Sequence, residues 1–234
     1  MTPALRQAQD DRSFDKVHDD IPFRTLRVER LSRPVLALLT LAMLFAEASA
    51  TDAGDYRVAF QLRAFHDCND AAGYVAAHAV VAHMVYQVRL FSSPPKISRL
   101  GSRRYRADIV LHSAIDPRAA VLTMPQWSWP AMNASEKVEL RSYMDALQQH
   151  EVGHLLIAQR YLAGGATTLH IFGPDPAKLG KRLQPSTRRY SQDLNTQLQS
   201  REQLYDRVTE HGAAQREASA YGFPTGPDVK FRCP

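Results

Sequence analysis

Cysteine is scarce: the 234 residues hold two, which excludes a disulfide-dense scaffold and a thiolate zinc site built from CxxC pairs. No segment repeats at a 20–50 residue period and the eleven glycines follow no period of three, so solenoids and collagen are ruled out. Long hydrophobic runs are missing too. The most apolar stretch, residues 35–45, is eleven residues with Thr40 inside it, short of the ~20 a permanent membrane helix needs. Charge of one sign is in small excess only: a net +5 spread without a dense basic block, so nucleic acid is not an expected partner. What is there is ordinary for a folded chain, 44% apolar and 23% charged residues, enough for one domain with an appendage.

The appendage is residues 1–50. Arg24, Arg27, Arg30 and Arg33 precede the apolar run, and Ala46-Glu47-Ala48-Ser49-Ala50 follows it. A basic flank, a short apolar centre and a small-x-small end are the parts of a secretory signal peptide. Cleavage after Ala50 is expected, leaving residues 51–234 as a periplasmic or secreted domain. Membrane contact is expected only through the signal segment, if it stays uncleaved. The acidic stretch at Asp10, Asp11, Asp15, Asp19 and Asp20 fits a signal peptide poorly, so a start further in, near Val28, is one reading. Removing residues 1–50 takes seven Lys+Arg and seven Asp+Glu, so the net charge stays +5. In an oxidising compartment Cys68 and Cys233 are expected to be bridged.

Along the rest of the chain, residues 55–64 alternate as a strand, with Tyr56, Val58, Phe60 and Leu62 on one side. Asn69-Asp70 predicts a helix running to about Val88, which would carry both His78 and His83. Strands are expected at 105–112 and 119–124. Asn133 with Glu136 reads as a capping box, and Gly164-Gly165 as a stop, so a helix of about thirty residues lies between. Residues 167–185 read as a loop with Gly173, Pro174, Pro176 and Gly180, with room for a short helix. Ser186 opens a last helix with Tyr190, Leu194, Leu198, Tyr205 and Val208 on one stripe, ended by Gly212. Strands followed by long helices indicate α+β: a small antiparallel sheet packed on long helices.

The central helix carries His150-Glu151-Val152-Gly153-His154. Histidines four apart project from one helical face, so both imidazoles can hold one Zn2+. Glu151 stands beside them as the carboxylate that takes a proton from water and returns it to a leaving amine. Uncharged neighbours, Gln148, Gln149 and the run Leu155-Leu156-Ile157, suit a buried helix better than a solvated one. A catalytic zinc needs a third protein ligand, and His170, Glu202, Asp206, Glu210 and His211 are the candidates. Trp127 and Trp129 read as core more readily than as a cleft lining. By analogy with related metal sites, residues 119–124 are a candidate edge for pairing an extended substrate.

HEVGH about fifty residues before YDRVTEHG, after a strand ending MPQW, resembles the bacterial domain of unknown function 922, described as predicted secreted zinc-dependent proteases. The resemblance spans roughly residues 119–215. It implies a zincin-like metal site on the central helix, with His150 and His154 as ligands and Glu151 as catalytic carboxylate. It further implies that the string Asp206, Thr209 and His211 is part of the site, with Asp206 favoured over His211 as third ligand and His211 then a catalytic donor to the oxyanion. The expected function is an exported zinc metallopeptidase acting on a peptide or protein substrate. The alternative is a non-catalytic zinc-binding or structural envelope protein.

Overall fold

A computed structural model describes residues 56–78 and 80–234; the signal segment, its cleavage point and Ala79 lie outside the described residues. The chain is α+β: among the described residues there are two small sheets, three α-helices and two short 3-10 helices. Strand β1 (Arg57–Ala64) pairs in parallel with β6 (Val121–Ser128), whose other edge takes β2 (His83–Val85) antiparallel. The second sheet is built on a twelve-residue strand, β5 (Arg104–Ile115). One edge of β5 pairs β3 (Val88–Ser92) and then β4 (Lys96–Gly101); the other pairs β7 (Thr167–Gly173). Pro94 and Pro95 have no amide to give a ladder, and they fall in the gap between β3 and β4. Ser93 closes that gap: its N–H donates to Val110 O at 2.9 Å, and its hydroxyl accepts from Val110 N at 3.1 Å.

Three expectations change. The sheets are not purely antiparallel, because β1 and β6 run the same way. The first helix, α1 (Cys68–Ala77), is capped by Asp67 and ends before His78. The valine-rich segment beyond it forms β2 and β3, so His83 is on a strand and not on that helix. Valines suit a strand as well as a helix, and pairing with β6 decides. Residues 167–185 are no loop: Leu169, Ile171 and Gly173 face inward while His170 and Phe172 face out, a period-2 pattern that forms β7.

Helix α3 (Pro176–Thr209) accordingly starts a full ten residues before Ser186, with Asp175 accepting from Lys178 N as its cap and Pro185 inside. Helix α2 (Ala134–Leu162) follows expectation. The Asn133 side chain accepts from Glu136 N, and Glu136 accepts in return from Asn133 N and from the Trp129 indole. Its face Tyr143 and Leu147 packs on Val58, Leu122, Met124, Trp127 and Trp129, one apolar cluster under the first sheet. Both tryptophans are therefore core. Among the described residues no helix is long and apolar enough to cross a membrane.

The C-terminal segment returns across α2. Val229 N donates to Gly212 O at 2.9 Å, and Phe231 packs against Trp127, Trp129 and Tyr143. Its Cys233 is bridged to Cys68 at the start of α1 across 165 residues of sequence. Closing a loop of that length is worth about 5 kcal/mol on the chain-entropy model. Replacing both cysteines by serine should lower the denaturant-unfolding free energy by up to that amount. Non-reducing mass analysis of the native protein should find no free thiol.

Candidate metal centre

Helical spacing places His150 and His154 side by side on α2, with both Nε2 atoms toward α3. Asp206, on the last turn of α3, completes the group: its Oδ1 lies 3.4 Å from His150 Nε2 and 3.1 Å from His154 Nε2. One ligand atom from each of the three residues falls within 4.8 Å of the others. Burial pushes the Asp206 carboxyl up, but the two imidazoles that face it, His150 and His154, outweigh this and hold the group well below the usual carboxylate range. Burial pulls His154 down, and Asp206 reverses that, so its imidazole is raised overall.

The approach of the two helices depends on Gly153 and Tyr205. A Cβ on Gly153 would stand 2.2 Å from the Tyr205 hydroxyl oxygen. With no side chain there, the Tyr205 ring stacks on His150 at 5.0 Å between centroids and meets the edge of His154 at the same distance. Its hydroxyl donates to the His150 carbonyl at 3.3 Å. The string that follows is a helix terminator. The Thr209 hydroxyl donates to Tyr205 O at 2.8 Å and accepts from Gly212 N at 3.3 Å. Glu210, His211 and Gly212 all take positive φ, which frees α3 to stop beside the histidines. At Gly212 a Cβ would press on Val229 at 2.6 Å, so glycine is required there by space as well as by φ.

Glu151, beside the histidines, reaches β2. Its Oε2 accepts from Met84 N at 2.9 Å. Burial raises its carboxyl, and the two histidines and the Met84 N–H only partly offset this. Strand β6 takes β1 along its whole length but β2 only at Val121, Leu122 and Thr123, so within the stretch 119–124 those three residues are paired on both sides; β2, the strand Glu151 reaches, is an edge of this sheet.

The other candidate third ligands fall outside the group. His170 pairs with Asp108 at 2.6 Å on the outer face of the second sheet. Glu202, one turn before Asp206, takes the Tyr86 hydroxyl, and burial raises its carboxyl. Glu210 is exposed. His211 stands at the rim, its Nδ1 3.9 Å from Asp206 Oδ1, and is more than half exposed. One residue that sequence reasoning missed is Gln215, buried and bonded to His150 Nδ1 at 2.9 Å. It sits in a short 3-10 helix after the motif and belongs to no recognisable spacing.

Residues 118–212 match the model of a family described as bacterial protein of unknown function, DUF922. The matched stretch holds all of β6, α2, β7 and α3, and so His150, Glu151, His154, Asp206 and His211. No curated protein and no solved structure matches the chain.

Proposed function

We propose that this chain, which carries a DUF922 domain in residues 118–212, is an exported zinc-dependent peptidase with a zincin-like site on α2. The observation that carries the reading is the convergence of two imidazole nitrogens and one carboxylate oxygen within 4.8 Å, next to a buried glutamate that is free of them. The donor set fits zinc: two neutral imidazoles and a carboxylate leave a fourth position open. His150, His154 and Asp206 would hold the ion. When bound it lowers the pKa of a coordinated water toward ~7 and polarises a carbonyl.

The remaining roles belong to the protein. Asp206 stays ionised because two imidazoles face it. Glu151, held by Met84 N and raised by burial, accepts the proton of the attacking water and passes it to the leaving amine. A carboxyl raised toward neutrality is better matched to both transfers than an ordinary one. His211, exposed at the rim beside Asp206, would donate to the oxyanion, a role worth ~3 kcal/mol in other hydrolases. The substrate is a peptide or protein met in the periplasm or outside the cell.

Two variants test the assignment. Asp206→Ala should lower both zinc stoichiometry and rate. His211→Ala should keep about one zinc per chain and lose rate alone, by about 10²–10³-fold. Elemental analysis and cleavage of a peptide library read the two effects separately. If His211→Ala releases the metal and Asp206→Ala does not, the roles are exchanged. If the wild type carries zinc and cleaves nothing, the site is structural.

A further inference from the structure

Gln215 is 1% exposed, and every polar atom of its side chain is used. Its amide nitrogen donates to the Pro224 carbonyl at 3.0 Å and to the Tyr205 hydroxyl. Its oxygen faces His150 Nδ1 at 2.9 Å. The orientation follows from the partners. The Pro224 carbonyl can only accept, so the NH2 end of Gln215 must face it and the oxygen must face His150. An amide oxygen can only accept as well, so His150 Nδ1 must carry the hydrogen. The lone pair of a neutral His150 is then on Nε2, the atom toward Asp206. Asp206 is closer to His154 Nε2, at 3.1 Å against 3.4 Å, and takes its proton from that side.

We propose that Gln215 is a positioning residue: a relay from the Pro224 carbonyl through the Gln215 amide sets His150 in the Nδ1–H tautomer, with Nε2 ready for a metal. This rests on the reading of His150 as a metal ligand. The relay is anchored outside the matched family stretch, in the C-terminal strap. Gly226 packs on Gln215, Val229 bonds to Gly212, and Cys233 is bridged to Cys68. The strap therefore does more than cover α2; it holds the carbonyl that orients the amide. Outer partners of metal-bound histidines commonly set ligand orientation, and losing one costs 10–100-fold in metal affinity.

The test reads the tautomer without metal. In metal-free, 15N-histidine-labelled protein at a pH where the imidazoles are neutral, His150 should show a pyrrole-type Nδ1 and a pyridine-type Nε2. The signal is assigned by its loss in His150→Gln. Gln215→Leu, shown to be folded by circular dichroism, should mix the tautomers and weaken zinc binding about 10–100-fold in a chelator competition. Gln215→Glu restores an acceptor and should return the Nδ1–H tautomer and most of the affinity. An Nε2–H tautomer in the wild type overturns the proposal, and that measurement needs no variant to fold. Wild-type tautomer and affinity in a folded Gln215→Leu overturn it too. A wild type that binds no zinc ends the metal centre instead, and the metal-free His150 signal then decides the relay by itself.

Discussion

Glu151→Gln should leave zinc content and fold intact while peptide hydrolysis drops by about two to four orders of magnitude, the range general acid–base catalysis supplies. Glutamine keeps the length of the side chain and an oxygen to accept from Met84 N. It removes only the proton acceptor, and Glu151 is not among the three converging donors. Equal cleavage of a peptide library by wild type and variant would end the peptidase reading.

The same variant has a second consequence in the metal-free protein. Burial raises the folded-state pKa of Glu151 above its ordinary 4.5. A carboxyl raised in this way favours the fold while protonated, and that advantage fades as pH climbs from 4.5 through the folded-state pKa. At pH 7 that advantage has faded, a loss that the neutral amide of the variant would not share. Thermal unfolding at pH 7 should place Glu151→Gln above the wild type, and the gap should close as pH falls below 4.5. A variant less stable than the wild type at pH 7 would show that the Glu151 charge supports the fold.

Gly153→Ala should damage the crossing of α2 and α3. The new Cβ would lie 2.2 Å from the Tyr205 hydroxyl oxygen and 2.7 Å from Cζ. Tyr205 is fully buried, stacked on His150, and held at its hydroxyl by the His150 carbonyl and Gln215, so it has nowhere to retreat. Alanine gains about 1 kcal/mol of helix propensity over glycine, whereas overpacking of this kind costs about 1–3 kcal/mol and sometimes more. The clash wins. Displacing Tyr205 also moves Asp206, the next residue, so zinc affinity should fall with stability. Denaturant unfolding and zinc competition check both effects. A variant as stable as the wild type with unchanged zinc affinity would mean that the helices do not approach through Gly153.

Local chemistry made much of this legible beforehand. The capping box at Asn133 and Glu136 is read within four residues, and the glycines after it mark the stop, so α2 was bounded correctly. The i, i+4 spacing of His150 and His154 sets their common face by helical geometry alone. With only two cysteines among the 234 residues, the Cys68–Cys233 pairing had no competitor.

Elsewhere the same residues were open to more than one structure. The valines after α1 and the alternation at 167–173 suit strands once β6 and β5 are there to pair with, and no local signal announces that partner. Pro185 reads as a breaker, yet it stands inside α3.

At the site, the sequence by itself determined which residue types could meet a metal, because ligand chemistry and helical period are properties of the chain. Tertiary structure decided which of them come together. Asp206 faces the histidines because Tyr205 wedges into the space left by Gly153, and His211 turns to the rim because α3 ends in left-handed residues. Gln215 was invisible for the same reason. Its role comes from three partners, His150, Tyr205 and Pro224, that only the folded chain brings to one amide.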